Sequence, residues 1–186
     1  MLLEKHDNPL IGCIIILWIV FLSNATNLTD GLNGLAAGIS AVESICLAVV
    51  SLFLNNIDIL ICSLLLFFAI VGFLPSNFPR AKIFMGDCGA LFLGATLGVL
   101  SSRLVIDGGG IVGAISVLLI FIIPIAETIQ SFFRRIINGK DPFSADRGHF
   151  HHKLIDAHFT KECATLVLVT ASLIFGLIGT AVFFLL

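Results

Sequence analysis

Apolar residues run along this chain in long blocks, and short polar stretches interrupt them at intervals. A bilayer crossing by a helix needs about 20 mostly apolar residues. Six blocks approach that length, at 10–26, 33–54, 57–74, 89–105, 111–132 and 163–185. The polar connections fall at 27–33, 55–58, 75–88, 107–110 and 138–162. The pattern predicts an all-α integral membrane protein, a polytopic bundle of about six transmembrane helices forming a single domain over 1–186. The first block ends in polar Ser23-Asn24, so its boundary is soft. Residues 1–8 are polar and lack a small-residue cleavage pattern, so they do not read as a removed signal peptide. No internal repeat is evident.

Composition identifies the solvent. The chain is 58% hydrophobic and only 12% charged, with a mean hydropathy of +1.11. A soluble domain carries about a quarter charged residues, and no soluble core of this size needs so much apolar side chain. Cys13, Cys46, Cys62, Cys88 and Cys163 are scattered and form no CxxC spacing, so neither a disulfide framework nor a zinc knuckle is supported. They read as small buried hydrophobes. The net charge of -2 says little, because in membrane proteins the placement of charge matters more than its sum.

That placement is one-sided. Alternation puts connections one, three and five on one face of the membrane. They hold, with the helix end feeding the fifth, Arg80, Lys82, Arg134, Arg135, Lys140, Arg147, Lys153 and Lys161. The opposite face shows only Lys5 and Arg103. The positive-inside rule makes the odd connections cytoplasmic. The even ones are minimal hairpins with no room for chemistry.

Three polar constellations share the cytoplasmic face. The first is Asn24-Ala-Thr-Asn27-Leu-Thr-Asp30-Gly31-Leu-Asn33-Gly34. Asn24, Asn27 and Asp30 are three apart and would project along one side of a helix end. Helix capping would use one or two such residues, and this boundary has more. The second runs from Asn77 through Arg80, Lys82 and Asp87 to Gly89. Asp87 stands where an N-cap is expected. It is equally a hard oxygen ligand suited to Mg²⁺, which binds through one or two carboxylates plus substrate phosphates, and Lys82 adds a cation for phosphate. The third is Arg147-Gly-His149-Phe-His151-His152-Lys153. Four of the 10 Lys and Arg and four of the 5 His fall between Lys140 and Lys161. Three readings compete for it: a transition-metal site, a basic surface meeting anionic headgroups, and a phosphate grip completed by Arg147. Without Cys ligands or an HExxH spacing, the phosphate grip is preferred. Glu127 lies within a span and is a functional candidate by position, or a partner for Arg134 or Arg135. Carboxylates, amides, cations and imidazoles on one face, with no nucleophile motif or Walker loop, suit Mg²⁺-assisted phosphoryl chemistry.

Asn24–Leu35, Ile83–Gly94 and Asp141–Leu154 resemble, in order and spacing, the polyprenyl-phosphate N-acetylhexosamine-1-phosphate transferase family. The run Pro-Phe-Ser-Ala-Asp-Arg-Gly-His-Phe-His-His-Lys is similar to the undecaprenyl-phosphate GlcNAc-1-phosphate transferase branch; the peptidoglycan enzyme usually has three contiguous His. The resemblance implies transfer of a sugar-1-phosphate from a UDP-sugar, UDP-GlcNAc by branch, to undecaprenyl phosphate with release of UMP. It implies Mg²⁺, with Mn²⁺ as a substitute, a multi-pass location in the bacterial inner membrane, and no nucleic-acid partner. Carried over by position, Asp87 and Asn27 are the metal ligands, and Asp30, Asp87, His149, His151 and His152 the catalytic set. Asn24, Asn33, Asn77, Lys82 and Arg147 bind substrate.

The departures have consequences. Family members are roughly twice as long, and their first half carries an adjacent Asp-Asp pair; this chain has none. It corresponds to the C-terminal half of the family's fold, and alone it is expected to be inactive, needing a separate N-terminal half. Asn33 and Glu127 each stand where Asp is frequent. Glu43, in mid-span, has no family role and is expected to face the missing half. A non-catalytic remnant or binding module is the alternative. A small transporter using Glu43, Glu127 and the His loop would instead need acids from several spans on one path.

Overall fold

The computed structural model describes residues 9–137, Gly139 and 149–185. The described residues form helices α1 (Pro9–Thr29), α2 (Leu35–Phe53), α3 (Ile57–Asn77), α4 (Gly86–Leu104), α5 (Gly110–Ile120), α6 (Ile122–Ile137), α7 (Phe150–Asp156) and α8 (Lys161–Leu185), with a π-helical turn at Val105–Gly109. The all-α membrane architecture is as expected. Five helical runs are long and apolar enough to cross a bilayer: the first three, Gly86–Ile120 and α8.

The expected span at 111–132 is not one helix. Pro124 has no N–H to return to Ile120, so the chain breaks at Phe121 (φ -95°, ψ 16°) and resumes as α6. The 35-residue run Gly86–Ile120 does not pass straight on either. Gly110 (φ 49°, ψ -138°) takes a backbone conformation closed to other residues and turns α5 back beside the start of α1. Ile14, Ile15 and Trp18 then line one groove with Ser101, Val105, Val117 and Leu118. Helices α5 and α6 together therefore make the return passage that hydropathy assigned to a single helix.

Small residues set the close helix contacts. α1 runs antiparallel to α4, and a Cβ on Gly94 would lie 2.5 Å from the Leu22 carbonyl oxygen and 2.6 Å from Ser23 Cα. One turn on, Gly98 faces Ile19 in the same way. Trp18 Nε1 donates to Ser101 Oγ at 2.9 Å across this contact. On α8, Gly176 faces Cys46 and Val42 of α2, and Gly179 faces Ser116 of α5. Ser116 Oγ donates to the Gly179 carbonyl at 2.7 Å. Hydrocarbon gives apolar side chains no advantage over lipid tails, so backbone proximity and interhelical hydrogen bonds carry such contacts. Between the helices lie Leu22, Leu47, Val50, Leu97, Leu104, Ile120 and Phe121.

Two sequence expectations are corrected. Only Cys46 is buried; Cys13, Cys62, Cys88 and Cys163 are exposed, all four on membrane helices, whose outer faces tolerate a thiol. Glu43 does not face outward toward a missing half. It is 1% exposed, inside the bundle, because α2 is the helix the others surround.

The connections sort to two ends. At one, Asn56 caps α3 by accepting from Ile59 N–H and donates to Asp107 at 3.1 Å; Arg103 donates twice to the same oxygen. At the other end gather Thr29–Gly34, Asn77–Gly86 and the segment from His149 to Thr160. The Asn77–Gly86 connection, with Arg80 and Lys82, and the His149–Thr160 segment, with Lys153, thus meet at the end that also holds Asp30.

Candidate active site

Asp30 and Asp87 come from opposite ends of an antiparallel pair. α1 continues beyond the sequence-drawn boundary to Thr29, so Asn27 is on its last turn and Asp30 just past it. Asp87 is in the first turn of α4, whose cap position is Met85; it is not the cap expected from the sequence. Its Oδ1 accepts from Asn27 Nδ2 at 3.2 Å. Burial, and secondly the Asp87 charge, push the Asp30 carboxyl up to about 6. Two carboxylates and the Asn27 amide thus converge at the membrane edge. No group of three or more His, Cys, Asp or Glu able to hold a metal occurs among the described residues. A cation here would need ligand oxygens beyond the protein's own, which is how Mg²⁺ binds with phosphates.

The loop after Asp30 is held by Asn77. Buried at the end of α3, Asn77 accepts from Gly34 N–H at 2.8 Å and donates to the Ile83 carbonyl at 2.9 Å. One side chain therefore ties the Asp30 loop to the Asp87 loop. Gly34 is in the left-handed region (φ 75°), and a Cβ there would strike the Phe78 ring. Asn33 Nδ2 donates to the Pro79 carbonyl at 3.4 Å, and its own carbonyl accepts from Thr165 of α8 at 3.3 Å. A cleft of about 110 Å³ remains between Gly31, Asn33, Pro79, Lys161 and Glu162. Asn24 is exposed and donates to the carbonyl of Val20 in its own helix. Lys82 is exposed beside the cleft's loop. Arg147 lies outside the described residues.

The imidazoles are organised by α6. Its buried positions Pro124, Glu127, Ser131 and Arg135 recur every three or four residues, so this helix turns a polar stripe inward. Glu127 accepts from the Phe150 N–H at 3.0 and 3.2 Å, and its Oε1 lies 3.0 Å from His149 Nδ1. Ser131 Oγ is 3.2 Å from the same nitrogen. A proton held on Nδ1 by this pair leaves Nε2 as the ring's other polar edge. His151 and His152 follow in the first turn of α7. Ring centroids are 5.5 Å apart for His149 and His151, which lie parallel, and 4.3 Å for His151 and His152. His151 packs against Gly31, where any Cβ would collide with its ring. This contact joins the His patch to the Asp30 loop.

Burial, then repulsion from His152, lowers His151 to about 4. It is therefore neutral at pH 7 and can act as a hydrogen-bond donor rather than a charge. Protons bind the unfolded imidazole but not the folded one between about pH 4 and 6.5, so docking of α7 weakens as pH falls through that window. Asp30 behaves oppositely. Its folded form holds a proton that the unfolded carboxyl releases, so its charge costs stability as pH rises from about 4 to 6. A bound cation removes that cost and must displace the proton below pH 6. Mn²⁺ binding, followed by loss of the free-ion electron paramagnetic resonance signal, should weaken about tenfold between pH 7.5 and 5. Equal affinity at both values would place the ion elsewhere.

Sequence reasoning missed Ser131, whose signal was its i,i+4 spacing from Glu127. Nor does the sequence alone show that the missing side chain of Gly31 makes room for an imidazole.

The model of glycosyl transferase family 4 matches residues 5–105, the stretch that contains Asp30, Asn77 and Asp87. The chain belongs to that family. A probable undecaprenyl-phosphate N-acetylglucosaminyl 1-phosphate transferase of Bacillus subtilis is 39% identical over 163 residues, covering 87% of this chain and 45% of that protein. The Thermotoga maritima undecaprenyl-phosphate alpha-N-acetylglucosaminyl 1-phosphate transferase is 38% identical, over 88% of this chain and 50% of that protein. A Staphylococcus saprophyticus phospho-N-acetylmuramoyl-pentapeptide-transferase is 36% identical, over 89% and 50%. The family resemblance of the three motifs is thereby borne out. The chain spans about half the length of the curated relatives it matches.

Proposed function

We propose that this chain supplies the phosphate-handling half of a polyprenyl-phosphate hexosamine-1-phosphate transferase. A phosphate oxygen of undecaprenyl phosphate attacks the β-phosphorus of a UDP-sugar. The bond from that phosphorus to the oxygen bridging it to the α-phosphate breaks, and UMP leaves. The observation that carries this reading is the convergence of Asp30, Asp87 and Asn27 with the His149–His152 patch, joined where His151 packs on Gly31.

The donor set fits Mg²⁺: hard oxygens and two carboxylates, with Asp30 raised first by burial and then by the Asp87 charge beside it. Bound there, Mg²⁺ would neutralise the charge that collects on the diphosphate oxygens during transfer. Asn27 orients the Asp87 carboxylate. Neutral His151, with His149 and His152, donates hydrogen bonds to the diphosphate, and Lys82 and Arg147 add cations. Asn77 fixes the spacing of the two acidic loops and acts on substrate through them. Interruption of the His run by Phe150 favours GlcNAc-1-phosphate over the phospho-N-acetylmuramoyl-pentapeptide that names the staphylococcal relatives. The cation-rich end is cytoplasmic by the positive-inside rule, which places the reaction on the inner face of the bacterial cytoplasmic membrane.

The test supplies the chain with the N-terminal half of the Bacillus subtilis relative in one membrane. UDP-GlcNAc and undecaprenyl phosphate should then yield UMP only with Mg²⁺. Binding of UDP-GlcNAc without UMP would select a binding module instead.

A further inference from the structure

Glu43 lies midway along α2, within a helix long and apolar enough to span a bilayer. It is 1% exposed, and neither carboxylate oxygen has a hydrogen-bond partner. Ser40, one turn earlier on the same face of α2, is fully buried with its hydroxyl unpartnered. So is Ser172 of α8. Its neighbours bring it to α2: Val169 packs on Gly38, and Gly176 packs on Val42 and Cys46. Ser172 is three residues from one and four from the other, so it shares their face. Cys46 sits in the same seam, its Sγ against Gly176. Nine residues at about 1.5 Å rise separate Glu43 from Gly34, so the seam is roughly 13 Å from the Asp30 loop.

We propose that Glu43, Ser40 and Ser172 form an intramembrane binding site for a small, hard monovalent cation of sodium type. An unpaired carboxylate in hydrocarbon is strongly unfavourable, so something must neutralise it. A proton could serve one of these oxygens through an O–H bond to a hydroxyl, but it could not bring all of them together. A divalent ion would leave one uncompensated charge in the bundle. A monovalent ion makes a neutral pair and gathers the carboxylate and hydroxyl oxygens, all of which lack partners. No nitrogen donor that an anion would require is among these unpaired atoms. The site is distinct from the acidic pair at the bundle's end and does not depend on phosphoryl transfer.

The experiment is thermal unfolding of the whole chain in detergent, in sodium chloride and in choline chloride at equal ionic strength. The midpoint should be higher in sodium, and Glu43→Gln should abolish the difference. Dicyclohexylcarbodiimide, which attacks protonated carboxyls in apolar surroundings, should modify Glu43. Sodium at nine times its dissociation constant leaves a tenth of the sites free and should slow that modification about tenfold. Equal midpoints in the two salts, an unchanged sodium effect in Glu43→Gln, or labelling indifferent to sodium would each overturn the proposal. If Glu43→Gln does not fold, the salt comparison and the labelling of the unsubstituted chain still decide.

Discussion

Asp87→Asn should lower Mg²⁺-dependent UMP release by the completed transferase roughly 10³-fold, the several kcal/mol that a metal-held phosphoryl transition state loses with a principal ligand. The substitution keeps shape and volume. It also leaves an oxygen able to accept from Asn27 Nδ2, the contact now 3.2 Å long, so the fold should not change. What disappears is one of two negative charges. The effect on Asp30 separates this from a structural loss: with the Asp87 charge removed, one cause of the raised Asp30 pKa goes. The pH dependence of Mn²⁺ binding should therefore move to lower pH while overall affinity falls. Activity within tenfold of the unsubstituted protein would sink the metal assignment.

Glu127→Ala should be the most damaging change at a residue that need not touch substrate. Its carboxylate accepts the Phe150 N–H and holds His149 Nδ1, and all three groups are buried or nearly so. Removing a buried charged acceptor and leaving its donors unpaired costs about 3 kcal/mol. The loss falls on the docking of α7, which this carboxylate ties to α6. Misplacing the imidazoles by about 1 Å should cost about 10²-fold in rate. Glu127→Gln keeps an oxygen for Phe150 N–H and should fold normally, yet it loses the charge that orients His149. A lower kcat with unchanged KM for the UDP-sugar in that variant would mark Glu127 as a positioning residue. Full activity in Glu127→Gln would leave it a structural strut only.

Much of the site was legible because its chemistry requires residue types that hydrocarbon excludes. Asp30, Asn33, Asn77 and Asp87 stand out at the ends of apolar blocks, and the His loop stands out by density. Their division of labour was not legible. Asn77 reads as a substrate ligand in sequence, whereas both ends of its amide are engaged with Gly34 and Ile83. Asp87 reads as a cap, and the helix begins two residues earlier than that requires. Glu127 left two readings open, and its observed acceptor role depends on Phe150, 23 residues away. Such pairings are set by long-range packing, to which local spacing is blind.

By itself the sequence determined the solvent, the helical class, the two-ended sorting of the connections and the residue types available for chemistry. Those follow from transfer energies and from helix length against bilayer thickness, which act residue by residue. Only the tertiary structure decided that the fifth passage is broken at Phe121, that Glu43 faces inward, and that His151 rests on Gly31 beside Asp30. Each depends on how closely two helices approach. That distance is fixed by the glycines and hydroxyls of both partners together, and no single stretch of sequence contains both.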